Sequence, residues 1–115
     1  MAKKKINSKQ KGARGEREGS KEWAKVLGTT ARRGQQFCGS PDSPDIVQGI
    51  PGIHLESKRT EKFKLYEALD QATQDKAKEE IPVVLHRKNQ RQWVVVVNLV
   101  DLPQLANLIA KNTIA

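Results

Sequence analysis

Acidic side chains and one lysine recur at short spacing in the first half of this chain. Asp45 follows Pro44, Glu56 precedes Lys58 by two residues, and Glu16 lies upstream in a segment rich in lysine and glycine. Carboxylates that meet beside a lysine are the groups that a metal-dependent phosphodiester-cleaving site needs. Because the rest of the chain is strongly basic, these residues point to a nuclease.

A predicted β-hairpin brings these side chains together. Two short runs rich in β-branched residues flank residues 49–52, whose Pro-Gly pair is a turn signal. Pairing across this connector places Asp45 opposite Glu56, with Cβ atoms roughly 4.5 to 5.5 Å apart. Because strand side chains alternate, Glu56 and Lys58 project from one face. Facing carboxylates repel unless a cation or proton lies between them, so the pair favours a divalent ion such as Mg²⁺.

The periodicity of the whole chain predicts an α/β fold in the order helix, three strands, helix, two strands, helix. A helical stripe from Glu16 through Trp23 to Leu27 directs Glu16 toward the core. The β-branched runs predict a central mixed sheet of five strands flanked by helices. The predicted helices are 12–27, 60–79 and 102–111, and the predicted strands are 29–33, 45–48, 53–58, 83–87 and 93–97.

Length and charge set the class of protein. The chain has 115 residues, which fits a mobile basic arm at 1–11 and a single nuclease domain at 12–115. Lysine and arginine total 21 against 13 acids, a formal charge of +8 that favours polyanions such as DNA. No apolar run reaches the roughly 18 residues of a membrane span, and no signal-peptide core is evident. We expect a soluble, intracellular, cytoplasmic protein.

Other reactive residue types carry weaker signals. Cys38 is the single cysteine, which excludes an intrachain disulfide and a cysteine-based zinc site. His54 and His86 match no zinc spacing, so packing or proximity to DNA is the favoured interpretation of each. Asp42 also follows a proline, but it falls in a predicted loop, whereas the register of Asp45 meets Glu56.

Five matches connect the chain to a known family. They are Lys11-Gly-x-x-x-Glu16-Arg17, Arg32-Arg33 before a loop rich in glycine and serine, Pro44-Asp45-Ile46, Glu56-Ser57-Lys58 and Gln71. This pattern resembles the PD-(D/E)xK nuclease superfamily and is most similar to the archaeal-type Holliday junction resolvases. The resemblance covers about residues 11–97, and the last two predicted strands match only in general character.

The resemblance implies a restriction-endonuclease-like fold and a function in DNA recombination and repair. It implies that Glu16, Asp45 and Glu56 bind Mg²⁺, with Mn²⁺ able to substitute. Lys58 would assist the attacking water, and Gln71 would orient a ligand of the site. Paired symmetric nicks across a four-way junction require two related sites, which a twofold homodimer supplies.

Basic residues around this site are the expected DNA contacts. The candidates are Lys11, Arg14, Arg17, Arg32, Arg33, Arg59, Lys62 and Lys64. Such residues bind the phosphate backbone without reading bases, so recognition of DNA shape is expected. Two alternatives stay open: an endonuclease of the same superfamily acting on flap, single-strand or duplex DNA, and a non-catalytic basic DNA-binding module. A membrane-surface role is disfavoured because the basic arm lacks interleaved bulky apolar residues.

Overall fold

A computed structural model describes residues 8–29, 32–33 and 46–113, which form an α/β arrangement. The helices are α1 (Ser8–Leu27), α2 (Leu65–Asp75) and α3 (Leu102–Thr113). The strands are β1 (Arg32–Arg33), β2 (Ile46–Val47), β3 (Ile53–Arg59), β4 (Ile81–Arg87) and β5 (Val94–Val97). A 3₁₀ turn at Leu99–Asp101 leads into α3.

Helix α1 begins at Ser8, so it extends four residues upstream of the predicted domain start at residue 12. It ends where Gly28 takes a left-handed conformation with φ of 67°. The backbone N–H of Thr29 then donates to the carbonyl of Ala24 over 3.1 Å. This pairing satisfies a carbonyl that the last helical turn leaves open, and glycine adopts the required φ at little steric cost.

The sheet is mixed, as expected, but the prediction of five strands was wrong. Its body consists of three strands, because only β3, β4 and β5 reach four residues or more. β3 pairs parallel with β4 across the α2 crossover, and β4 pairs antiparallel with β5. β2 pairs with the edge of β3 through Ile46 and Leu55, and β1 pairs in turn with β2, each with only two residues. The prediction of an antiparallel pair near the C-terminus is confirmed by the pairing of Val83 with Val97.

The side chain of Gln48 explains why the β2 bridge is so short. Its amide nitrogen donates to the carbonyls of Ile50 and, over 3.1 Å, Ile53. The N–H of Ile50 donates back to the Gln48 side-chain oxygen over 3.1 Å. A buried side chain thereby satisfies backbone groups that a longer ladder would otherwise pair. The alternation of apolar and polar residues in the sequence does not predict that a side chain will take the place of strand pairing here.

The register predicted for the hairpin is confirmed where it is described. Ile46 pairs with Leu55, as the connector at residues 49–52 requires. The next pair in that register would join Glu56 to Asp45, which lies outside the described residues. The catalytic pair predicted from the hairpin therefore stays a prediction.

Helices cover both faces of β3 and β4. On one face, α1 and α3 bring Trp23 and Leu105 onto a core that includes Leu55 and Val83. On the other face, α2 packs Ala68, Leu69 and Ala72 against Val84. Within the described part of the chain, no helix is both long and apolar enough to cross a membrane. The alternation along β3 therefore decides which helix each of its side chains meets.

Candidate active site

The side chains of β3 that face α2 form a polar group beneath that helix. His54, Glu56 and Lys58 alternate with Leu55 and Ser57, so they share the α2 face. His54 and Glu56 are buried, at 2% and 1% exposure, while Lys58 is half-buried. Ionisable side chains are seldom this buried without a partner. This face of β3 therefore differs from an ordinary apolar core.

Glu56 is held by one oxygen. The Nε2 atom of His54 donates to Oε1 of Glu56 over 3.1 Å, and Nδ1 of His54 lies 3.8 Å from a carboxylate oxygen of Glu80. The other oxygen, Oε2 of Glu56, is buried and has no hydrogen-bond donor among the described residues. Leaving such an oxygen unpaired costs about 1 to 3 kcal/mol. The arrangement orients the carboxylate and keeps Oε2 available for a cation or a proton.

Helix α2 presents Gln71 and Asp75 beside this carboxylate. The two are four residues apart, and the Gln71 amide donates to both Asp75 oxygens over 3.1 and 3.0 Å. This hydrogen bonding holds the pKa of Asp75 below its ordinary value, while burial opposes the shift. The charges of His54 and Lys58 lower the pKa of Asp75 further. Gln71 and Asp75 thus form a hydrogen-bonded pair on α2.

A groove opens from Lys58 along the first turns of α2. Its volume is about 310 Å³. The lining residues are Lys58, Thr60, Lys62, Phe63, Lys64, Glu67, Ala68 and Gln71. Three lysines against one glutamate make the groove electropositive, which suits a phosphate backbone.

A second basic groove lies on the other side of a stacked pair of aromatic rings. Phe63 stacks on His86 with ring centroids 3.9 Å apart and an interplanar angle of 9°. Phe63 lines the first groove, and His86 lines the second, which has a volume of about 480 Å³. The second groove also includes Arg87, Lys88 and Arg91. The two grooves together give a basic band that begins at Lys58.

Glu16, a second predicted metal ligand, is a half-buried residue of α1, and its part in the site stays a prediction. Glu16 lies on α1, next to Gly15, which packs on Arg59 at the face of β3 opposite Glu56. The carbonyl of Glu16 accepts a hydrogen bond from Ser20 over 2.6 Å. Asp45, the third predicted ligand, lies outside the described residues. The described elements therefore bring together Glu56, Lys58 and Gln71 from the predicted set.

The expected DNA contacts fall into four groups. Lys62 and Lys64 line the groove beside Lys58. Arg59 faces α1, where its Nε donates to Glu18 over 3.2 Å. Arg14 and Arg17 are exposed on α1. Lys11, Arg32 and Arg33 lie in α1 and β1, and their side chains fall outside the description.

Carboxylate oxygens are the donor type that Mg²⁺ prefers, and Oε2 of Glu56 fits that role because it lacks a donor among the described side chains. Within the described ranges, no three His, Cys, Asp or Glu residues lie close enough to hold a metal ion. Mg²⁺ is often bound by one or two carboxylates together with water and substrate phosphate. The described donor set is therefore of the kind that is completed by substrate.

Sequence predicts the roles of two neighbouring residues incompletely. It places His54 on the same strand face as the acids but as a packing or DNA-proximal residue, and it predicts nothing for Asp75. The available signal for His54 was its i, i+2 spacing to Glu56 on one strand face. For Asp75 the signal was its i, i+4 spacing from Gln71 on a helix. Neither spacing becomes specific until α2 is known to pack over β3.

No protein-family model, curated protein or solved structure matches this chain. The resemblance to the junction resolvases therefore rests on the residues of the chain alone.

Proposed function

We propose that the chain is a metal-dependent, structure-selective DNA endonuclease that resolves four-way junctions by paired symmetric nicks. The observation that carries the proposal is the environment of Glu56. Its carboxylate is buried, one oxygen lacks a donor among the described residues, and Lys58 lies two residues away on the same strand face. A purely structural position rarely retains such a group, because an apolar side chain would avoid the desolvation penalty.

The reaction in this proposal is hydrolysis of a phosphodiester. A water oxygen bonds to phosphorus, the bond to the leaving sugar oxygen breaks, and that oxygen takes up a proton. Glu56, with Asp45 and Glu16 as predicted, would hold the divalent ion. When bound, that ion would acidify water and neutralise phosphoryl charge. Lys58 would stabilise the negative charge that develops on the phosphoryl oxygens.

The basic band supports DNA as the substrate. Lys62 and Lys64 lie along the groove that starts at Lys58. Arg87 and Lys88 line the second groove, on the other side of the stacked Phe63–His86 pair, and extend the positive charge. A backbone lying in this band would pass its phosphates by Lys58. Contacts of this kind release counterions, so affinity should fall steeply as salt rises.

A homodimer is part of the proposal, because two symmetric nicks need two sites. β5 is the outer strand of the described sheet, and Val94 and Val95 are each 49% exposed. Leu99 and Val100, which follow, are 82% and 83% exposed. Pairing two β5 edges about a twofold axis would cover this apolar surface. We expect Val95→Lys to convert a dimer to monomer in light scattering; a wild-type monomer at all concentrations would reject the dimer.

Cleavage of labelled DNA tests the function. The full chain is incubated with a four-way junction or a matched duplex, in Mg²⁺ or in chelator. We expect metal-dependent symmetric nicks in the junction and little cutting of the duplex. Glu56→Gln, Lys58→Ala and Asp45→Asn should each reduce the cleavage rate by about 10²-fold or more.

Glu67→Gln is the matched control, because Glu67 lines the same groove but lies on an exposed turn of α2. It should retain the wild-type rate. Equal cutting of duplex and junction would reject junction selectivity and favour another DNA substrate. Absence of cleavage at every Mg²⁺ and Mn²⁺ concentration would favour the non-catalytic DNA-binding module.

A further inference from the structure

The second basic groove is lined by cations that no described acid neutralises. Its lining residues are His86, Arg87, Lys88, Gln90, Arg91, Gln92 and Val94, none of which is an acid. Arg87, Lys88 and Arg91 form no ion pair within the described part of the chain. In the first groove, by contrast, Lys64 lies 3.9 Å from a carboxylate oxygen of Glu67. Cations this close in the chain repel one another, and an anion in the groove would relieve that repulsion.

The turn between β4 and β5, which carries these cations, has a defined shape. The N–H of Arg91 donates to the carbonyl of Lys88 over 3.2 Å, and Nε of Arg87 donates to the carbonyl of Arg91 over 2.7 Å. Gln90 takes a left-handed conformation with φ of 63°, which residues other than glycine seldom adopt. Because residues held in such conformations cluster at ligand-contacting segments, the turn has the character of a binding element.

Hydrogen bonds attach this turn to the connector between β3 and α2. The N–H of Thr60 donates to the carbonyl of Arg87 over 3.2 Å, and Nε2 of His86 donates to the carbonyl of Thr60 over 3.0 Å. Next along the connector, a carboxylate oxygen of Glu61 accepts from the N–H of Asn89 over 2.9 Å. The same connector carries lysines of the first groove, so these contacts fix the two grooves relative to one another.

We propose that the second groove binds the phosphate backbone of DNA at a distance from the bond that is cut. Lys88 and Arg91 contact phosphate oxygens there, and Glu61 is a positioning residue that holds the turn through Asn89. Lysine and arginine bind the backbone without reading bases, so the groove raises affinity for any base sequence. Because no carboxylate lines the groove, it supplies binding and not chemistry.

This inference deepens the proposed function and rests on it for the identity of the polyanion. The residues expected from sequence to contact DNA extend no further along the chain than Lys64, so the groove adds the β4–β5 turn to the interface. A contact that is equally strong in the ground state and the transition state changes KM and leaves kcat unaltered. Loss of the groove should therefore raise KM for junction DNA.

Binding of a labelled four-way junction to the full chain in chelator tests the groove without cleavage. Fluorescence anisotropy over a range of KCl concentrations gives the affinity and its salt dependence. The turn variant, Lys88→Gln with Arg91→Gln, keeps the backbone hydrogen bonds of the turn. We expect it to weaken binding by about tenfold or more and to lower the slope of log affinity against log salt by about 2.

A control variant removes the same charge elsewhere. It combines Lys25→Gln with Lys111→Gln, at exposed positions on α1 and α3 that line neither groove. This control variant should bind the junction like the wild type, with the same salt dependence. Circular dichroism and thermal melting of both variants confirm that they fold.

Two substitutions of Glu61 separate positioning from a simple charge effect. Glu61→Ala removes the acceptor for the N–H of Asn89, whereas Glu61→Gln keeps an acceptor oxygen. Both remove a negative charge beside the groove, which by itself would strengthen DNA binding. We expect Glu61→Ala to weaken binding by about threefold and Glu61→Gln to bind at least as tightly as the wild type. Stronger binding by both variants would overturn the role assigned to Glu61.

The groove itself is overturned by any of three results. They are wild-type affinity and salt slope in the turn variant, an equal loss in the control variant, and no DNA binding by the wild type. Cleavage in Mg²⁺ by the same samples separates the two proposals. If binding behaves as expected but the wild type cuts no DNA, the groove stands and the nuclease function fails. If the wild type cuts DNA and the turn variant binds and cuts equally well, the function stands and the groove fails.

Discussion

The two faces of β3 differ in what they bury. Toward α1, Leu55 is fully buried in the apolar core, and Ser57 donates to the carbonyl of Gly15 over 2.9 Å. Toward α2, the buried groups are the imidazole of His54 and the carboxylate of Glu56. One strand thus carries a closed structural face and a charged face, and the two alternate residue by residue.

The difference shows where stability is given up. On the α1 face, the side chain of Ser57 is paired and the helix backbone lies directly on the strand, whereas the buried Nε1 of Trp23 in α1 has no acceptor among the described residues. On the α2 face, an oxygen of Glu56 is buried without a donor among the described residues. A departure from full polar pairing at one position of an otherwise regular strand is typical of a functional site. Substitutions on the α1 face should therefore lower stability and leave cleavage intact. Substitutions on the α2 face should reduce cleavage with little loss of stability.

The largest effect is expected at the centre of the closed face. Leu55→Ala should lower the free energy of unfolding by about 2 to 5 kcal/mol, because it removes buried methyl groups and leaves a cavity. Urea denaturation measures the change. Val26→Ala is the control, since Val26 is 75% exposed and its loss should be nearly neutral. A Leu55→Ala change below about 1 kcal/mol would contradict a tightly packed α1 face.

A smaller loss is expected where α1 touches β3. A Cβ added at Gly15 would lie 2.8 Å from Cβ of Arg59, an atom fixed to the strand backbone. Gly15→Ala should therefore destabilise by about 1 to 2 kcal/mol, although alanine favours helix by about 1 kcal/mol. Lys25→Ala, at an exposed position of α1, provides the control in the same urea titration. Stabilisation by Gly15→Ala would show that the helix does not approach β3 this closely.

Neighbouring residues on opposite faces give the sharpest contrast. Ser57→Ala removes a buried hydrogen bond to Gly15 and should cost about 1 kcal/mol with cleavage retained. Lys58→Ala should change stability by less than about 0.5 kcal/mol, because Lys58 opens onto the groove. Its cleavage rate should nevertheless fall by about 10²-fold or more. Loss of activity in both variants, or in neither, would remove the functional distinction between the faces.

Local patterns predicted some of these features from sequence. The i, i+2 spacing of Glu56 and Lys58 determines that they share a face, and the two-glycine connector determines the Ile46–Leu55 register. The number of full strands was overestimated, because the pattern did not indicate that Gln48 would pair the backbone of Ile50 and Ile53. Whether a side chain replaces the backbone hydrogen bonds of a strand pair depends on packing, which sequence periodicity does not encode.

The site was only partly predictable for the same reason. Lys58 and Gln71 line one groove because α2 crosses over β3 between two parallel strands, which is a tertiary event. The helical stripe predicts that Glu16 faces the core, and its part in the metal site stays a prediction. Which elements pack on one another depends on tertiary contacts that spacing within one element does not encode.

The most direct test measures two properties of the Glu56→Gln variant. They are its urea unfolding in chelator and its cleavage of a four-way junction in Mg²⁺. The glutamine oxygen would still accept from His54, and a neutral amide would replace the buried carboxylate, which removes the cost of burying a charge. We predict that stability rises by about 1 kcal/mol while cleavage falls by about 10²-fold or more. A clear loss of stability with cleavage retained would contradict the claim that this face of β3 holds a functional carboxylate rather than a structural one.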